Sequence, residues 1–193
     1  MMIDPLATLL AWLEEAKARG VHEPEAMVLA TATLDASPSA RVVLFRGLTD
    51  EGALRFFTNY ESRKARELDD NPRAALTFHW AVLGKQVRVE GRVARLAPAA
   101  SDAYFAGRPR LSQIGAWVSP QSRPIPSLNE LVERRSEREA EFAGGAVPRP
   151  PFWGGYGLVP SRVELWTSGE GRFHDRRLFE RDGQGWTLAI LAP

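Results

Sequence analysis

Gln86-Val87-Arg88-Val89-Glu90-Gly91-Arg92-Val93-Ala94-Arg95-Leu96 is the stretch on which the fold turns. Val87, Val89 and Val93 alternate with Gln86, Arg88, Glu90 and Arg92. That period of two belongs to a strand with one face buried and the other in water, as in an antiparallel sheet. Working outward, Ala74 to Trp80 reads as the strand before it. Met27 to Thr33 and Ala40 to Arg46 read as strands around an Asp35-Ala36-Ser37-Pro38 turn, and Leu54 to Thr58 as a third. Beyond it, three more strands are expected near residues 161–167, 172–180 and 186–191, after a Pro/Gly-rich connector from Val147 to Gly155.

Helices fall between and around these strands. Asp4 as N-cap and Pro5 at the first helical position open one, whose apolar stripe is Leu6, Leu9, Leu10 and Leu13. A short helix is expected from about Arg63 to Asp70, stopped by Asn71-Pro72. Pro98 opens another through Phe105. Ser127-Leu128-Asn129-Glu130 has the form of a capping box for a highly charged helix to about Phe142. Many short strands with few helices imply a mostly β chain with α (α+β), an antiparallel barrel with peripheral helices.

Composition excludes more than it selects. The 193 residues carry a formal charge of +1, so no global field favours nucleic acid or an anionic membrane. Without cysteine there is no disulfide, thiolate catalyst or Cys-based metal site, and three scattered histidines lack metal-ligand spacing, so no metal is expected. The N-terminus has no leader pattern and no apolar run reaches membrane-spanning length. A soluble, cytoplasmic protein is expected. Only Lys17, Lys64 and Lys85 are lysines among 25 basic residues, which singles out Lys64.

Four constellations could carry chemistry. Ser62-Arg63-Lys64 places cations at the positive end of a helix, while Glu67, Asp69 and Asp70 lie toward the negative end. This is unfavourable for the helix alone and suits a phosphate site; a marginal surface helix is the competing reading. Tyr104, Arg108 and Ser112, spaced i, i+4, i+8, offer phosphate donors on one face if Pro109 starts a second helix; an ordinary helix surface is the alternative. Gln113 to Ser122 sets Gln121 and Ser122 beside aromatic residues, a combination suited to the edge of a heteroaromatic ring, with Trp166 as an apolar wall. Arg172-Phe173-His174-Asp175-Arg176, if a strand, puts Arg172, His174 and Arg176 on one face and turns Phe173 into the body of the protein. A solvated edge strand is the alternative there.

Taken in order, Arg41 to Arg46, Phe57 to Lys64, Arg108 to Ser119 with Gln121-Ser122, Phe152-Trp153-Gly154-Gly155, Arg172 to Arg176 and the terminal Leu191-Ala192-Pro193 resemble the pyridoxamine/pyridoxine 5'-phosphate oxidase family. The resemblance runs from about Asp4 to Pro193. It implies an FMN-binding split β-barrel as a single domain over 1–193, with 152–193 as a dimerisation and active-site segment. It also implies a homodimer with FMN at the subunit interface. The implied flavin residues are Arg41, Val42, Val43, Leu44, Phe45, Arg46, Phe57, Thr58, Arg63, Lys64, Gln86, Gln121, Ser122, Trp166 and Arg176, with Arg63 and Lys64 on its phosphate. Substrate would be held by Arg46, Tyr104, Arg108, Ser112, Arg172 and His174, the last two nearest the reacting carbon and so the catalytic pair.

The implied reaction oxidises pyridoxamine or pyridoxine 5'-phosphate to pyridoxal 5'-phosphate, with dioxygen as acceptor and hydrogen peroxide released. Alternatives are a related flavin oxidase acting on another cyclic substrate, such as a phenazine precursor, and a flavin or pyridoxal-phosphate carrier without turnover. Arg46 stands where the resembled family usually has lysine, and Phe57 where it has tyrosine. The chain also begins close to the first shared helix, so the arm that helps cover the site in related enzymes is expected to be missing.

Overall fold

The computed structural model describes residues 3–183 and 185–193. Eight strands among these residues form one antiparallel sheet: β1 (Ala26–Ala32), β2 (Pro38–Leu44), β3 (Leu54–Asn59), β4 (Arg73–Trp80), β5 (Lys85–Arg95), β6 (Trp153–Thr167), β7 (Asp175–Asp182) and β8 (Gly185–Ile190). The hydrogen-bonded order is β2-β1-β4-β5-β6-β7-β8, with β3 paired to β6. The β5 alternation is as read from sequence. Val87, Val89 and Val93 are buried while Arg88 and Arg92 are exposed.

The long strand β6 organises the fold. Its first half, Trp153 to Leu158, pairs with β3, and its second half, Arg162 to Thr167, pairs with β7. β5 runs along its other edge, with a register shift between Glu90 and Gly91. A Cβ on Gly91 would lie 2.0 Å from the Val159 carbonyl oxygen, so only glycine allows that approach. The chain leaving β2 then meets the start of β3. Arg46 N donates to Arg55 O at 2.8 Å, and Arg55 N donates to Gly47 O at 2.9 Å. These bonds close β2-β1-β4-β5-β6-β3 into a barrel, and β7 and β8 continue outside it from the second half of β6.

Among the described residues five α-helices lie around the barrel: α1 (Pro5–Ala18), α2 (Arg63–Asp70), α3 (Pro98–Ala106), α4 (Arg110–Val118) and α5 (Leu128–Glu141). Asp4 caps α1, accepting from Leu6 N at 2.9 Å. Leu6, Leu9, Leu13 and Ala16 are its buried stripe; Leu10, expected among them, is exposed. The main core joins these residues to Phe45, Phe56, Phe78, Trp80, Tyr156 and the β5 valines. A smaller cluster of Phe105, Ile114, Val118, Val147 and Trp153 binds α3 and α4 to the barrel.

Several expectations are corrected. β6 begins at Trp153, not near residue 161, because Gly154, Gly155 and Gly157 let the strand run closely past Tyr60, Phe57 and Leu96. Strand β7 begins at Asp175, and Glu170–Arg172 form a turn of 3-10 helix with Arg172 at φ 68°. Phe173 is 82% exposed and does not enter the body of the protein. The capping box does not form: Ser127 makes no side-chain cap bond, and Glu130 pairs with Arg134 instead of returning to the N-cap. Among the described residues, no helix is long and apolar enough to cross a membrane.

Candidate active site

A cavity of about 1040 Å³ opens between β2, the end of β3, the start of α2 and the α3–α4 junction. It exceeds the roughly 300–1,000 Å³ usual for a single small ligand. Its lining includes Arg41 to Leu44, Arg46, Phe57, Thr58, Arg63, Lys64, Tyr104, Arg108, Ser112, Gln121 and Ser122, most of the residues singled out from sequence.

One end is built by α2. Ser62 occupies the N-cap position without a cap bond from its side chain, and its Oγ instead accepts from Lys64 Nζ at 3.3 Å. Lys64 also donates to Thr58 Oγ1 at 3.0 Å and Gln121 Oε1 at 2.9 Å. All three acceptors are neutral, so a buried ammonium is solvated here without a direct carboxylate. Burial and then the nearby Arg41 charge push the Lys64 pKa down to about 8, with Glu67 opposing. Arg41 reaches in from β2, donating to Leu29 O at 3.2 Å and Thr31 Oγ1 at 2.6 Å. Arg63 is held by Glu67 at 2.7 Å.

The other end lies where α3 gives way to α4. Pro109 is the N-cap of α4 and not its first helical residue, so the helix starts one residue later than expected, and the break turns Arg108 and Ser112 toward Tyr104. Gln113 fixes the junction by donating to Phe105 O at 2.9 Å. Arg46 Nε donates to Tyr104 Oη at 2.6 Å. Arg108 lies 4.6 Å from the Trp153 ring centroid, and its Nη1 is buried with no hydrogen-bond partner among the described residues. Burial lowers the Arg108 pKa, Tyr104 opposing and Arg46 reinforcing the shift. A guanidinium desolvated this way, with a donor to spare, suits an anion. Between the two ends, Phe57 stacks on Tyr104 at 3.9 Å and on Trp153 at 5.6 Å, forming a flat apolar wall.

The remaining sequence-predicted residues lie elsewhere. Phe45 packs edge-on against Phe78 in the core. Gln86, Trp166 and Arg176 sit opposite one another across β5, β6 and β7. Arg176 donates to Glu164 at 2.8 Å and to Ala192 O at 2.9 Å. The His174 ring lies 4.7 Å from the Trp166 ring, and its Nδ1 accepts from Gly169 N at 3.2 Å. In the neutral imidazole that bond places the proton on Nε2. Arg172 is exposed beside it. None of these six residues lines the cavity of its own chain.

Sequence reasoning left two contributors unassigned. Trp153 was read as part of a connector and of a run shared with the resembled family but was given no role, although an aromatic residue beside two glycines fits a strand that backs a ring. Glu67 was legible only as a misplaced charge, although its i+4 spacing from Arg63 was a signal.

The cation groups at the two ends fit two phosphate esters, and the aromatic wall between them fits ring systems, so the residues present suit FMN together with a phosphorylated substrate. A family model described as pyridoxamine 5'-phosphate oxidase matches residues 13–138. A second, described as the pyridoxine 5'-phosphate oxidase C-terminal dimerisation region, matches residues 153–193. The chain is 53% identical to a pyridoxine/pyridoxamine 5'-phosphate oxidase of Rubrobacter xylanophilus, over 98% of this chain and 87% of that one. PhzG from Burkholderia lata 383, solved in complex with tetrahydrophenazine-1-carboxylic acid, is 34% identical with a TM-score of 0.92, covering 98% of this chain and 93% of that one. A pyridoxamine 5'-phosphate oxidase-related, FMN binding protein from Nostoc punctiforme PCC 73102 shares the fold at 21% identity and a TM-score of 0.79, over the full length of both chains.

Proposed function

The chain belongs to the pyridoxamine 5'-phosphate oxidase family, and from that premise we propose that it oxidises pyridoxamine or pyridoxine 5'-phosphate to pyridoxal 5'-phosphate. The alcohol and dioxygen give the aldehyde and hydrogen peroxide; the amine consumes a water as well and releases ammonia. FMN, when bound, would supply the hydride acceptor and the two-electron chemistry that links substrate to dioxygen.

The protein's part is position and electrostatics. Arg41, Arg63 and Lys64 hold the flavin phosphate, while Thr58, Gln121 and Ser122 meet polar groups of the cofactor. Tyr104, Arg108, Ser112 and Arg46 hold the substrate phosphate. Arg172 and His174 orient the reacting end of the ring, His174 through Nε2. Because these two lie off the cavity of their own chain, they act on the site of a second copy, along with Gln86, Trp166 and Arg176. The functional unit is then a homodimer of one-domain chains with each FMN between subunits, joined through the C-terminal dimerisation region.

The observation that carries this reading is the unpartnered Arg108 Nη1 at one end of a cavity whose other end holds Lys64 without a direct carboxylate partner. Purified protein is expected to show a flavin spectrum, and to form peroxide and pyridoxal 5'-phosphate in equal amounts when given pyridoxine 5'-phosphate under air. Colourless protein that FMN cannot reconstitute sinks the assignment. The likeness to PhzG motivates a second reading, oxidation of a tricyclic acid. The phosphate cup argues against it, and faster turnover of such an acid than of the B6 phosphates would establish it.

A further inference from the structure

Helix α2 carries three acidic residues, and only one of them is hidden. Asp69 and Asp70 are exposed, whereas Glu67 is 4% exposed. A carboxylate taken out of water costs several kcal/mol unless donors surround it. Glu67 has four donor groups, from three elements. Oε1 accepts from Arg63 Nε at 2.7 Å. Oε2 accepts from Thr31 Oγ1 at 2.5 Å, Ser39 Oγ at 2.6 Å and Arg41 Nη2 at 3.3 Å. Thr31 and Ser39 in turn each accept from Arg41, so one carboxylate organises both arginines and the hydroxyls between them.

We propose that Glu67 is a positioning residue for the flavin phosphate, holding Arg41 and Arg63 against the cavity wall before the cofactor arrives. This rests on the reading that the α2 end of the cavity takes that phosphate. Arg63 is 58% exposed at its side chain and would otherwise sample many rotamers. Ordering it in advance removes that cost from binding. Burial alone would raise the Glu67 pKa, but hydrogen bonds from Ser39, Thr31 and Arg63, with the Arg63 charge, outweigh it and hold the group at about 2. The carboxylate therefore stays ionised at any pH where the protein works. With Arg41, Arg63 and Lys64 it leaves this end of the cavity at +2, the counter-charge of a phosphate monoester dianion.

The proposal makes an expectation opposite to simple charge counting. Glu67→Gln takes this end of the cavity from +2 to +3, which by Coulomb attraction alone should tighten phosphate binding. Loss of positioning should instead weaken it. Apoprotein is titrated with FMN and with riboflavin, which lacks the phosphate, by flavin fluorescence. Glu67→Gln is expected to raise the Kd for FMN about tenfold, the scale of two re-freed long side chains, and to leave that for riboflavin unchanged. Thr31→Val, which removes one donor to Glu67 and one acceptor for Arg41, should raise the FMN Kd about threefold with riboflavin again unchanged. Thr31→Val stands as the test should Glu67→Gln fail to fold. FMN binding that is unaltered or tighter in the variants overturns the proposal, as does equal weakening of both flavins, which marks a purely structural role. Wild-type protein that does not distinguish FMN from riboflavin sinks the underlying phosphate assignment instead, and the proposal with it.

Discussion

Lys64 holds its proton against burial, and that has a measurable pH signature. Its pKa is about 8 in the folded chain against an ordinary 10.5. Between those values the unfolded chain binds a proton that the folded chain does not. Its burial therefore subtracts from stability below pH 8, and the penalty fades as pH rises toward 10.5. An arriving phosphate favours the ammonium, so FMN binding above pH 8 takes up a proton. The Kd for FMN should then rise with pH, approaching tenfold per unit as a limit. Titrations from pH 7 to 9.5 check this, with Lys64→Arg expected to be flat. A flat wild-type profile would remove Lys64 from the phosphate. At the substrate end, Arg108→Ala should mainly raise KM, by about one to two orders of magnitude, since the phosphate keeps its charge through the reaction. Arg172→Ala and His174→Ala should lower kcat, and all three should retain FMN. Steady-state kinetics at saturating oxygen decide; loss of kcat at unchanged KM in Arg108→Ala would misplace the cup. Lys64 and Arg108 were legible because a scarce residue type and a motif spacing are written in the chain. Glu67 was not, because whether an acid near a helix end is buried depends on what β1 and β2 bring beside it.

Among the elements, β6 shows most clearly what periodicity can and cannot reveal. Its second half was read as a strand near residues 161–167, while its first half is Trp-Gly-Gly-Tyr-Gly and looks like a loop. The glycines are there for clearance. A Cβ on Gly155 would stand 2.7 Å from Phe57 Cε1 and 2.6 Å from Leu96 Cδ1. Gly155→Ala should therefore displace Phe57 from its stack with Tyr104 and Trp153, at about 1–3 kcal/mol, the usual cost of overpacking. A lower Tm together with weaker FMN binding would confirm it, and an unchanged Tm would show that the stack can shift freely. The 172–176 run failed in the opposite direction. Alternating polar residues suggested a strand, but Gly169 and Gly171 allow a tight turn that a period-of-two reading cannot see. A Cβ on Gly169 would lie 1.8 Å from the Phe173 carbonyl oxygen. α1, α2, α3 and α5 were legible to within a residue or two, while α4 was foreseen only as a segment beginning at Pro109 with no end assigned.

At the scale of the whole molecule, the barrel class was legible because many short strands, β5 most clearly, recur along the chain with few helices between them. The closure through Arg46, Gly47 and Arg55 was not, since pairing partners distant in sequence leave no periodic trace. Nor could sequence show that the named residues divide into a cavity set and a set along β5, β6 and β7. That division has a genetic consequence. If each site joins the cavity of one chain to the β5–β7 face of another, a defect in either set is local to half a site. A bacterium carrying one allele with Arg108→Ala and another with Arg172→Ala would make mixed dimers in which both defects fall on the same site and the other site is untouched. Random exchange of subunits makes half the dimers mixed, so about a quarter of all sites would work. Two alleles that each fail alone should complement when expressed together, and two defects within the cavity set should not. Recovery of roughly that fraction of turnover on mixing the purified variants would support the shared site. Mixtures that never exceed the sum of their parts, after subunit exchange is verified, would confine each site to a single chain.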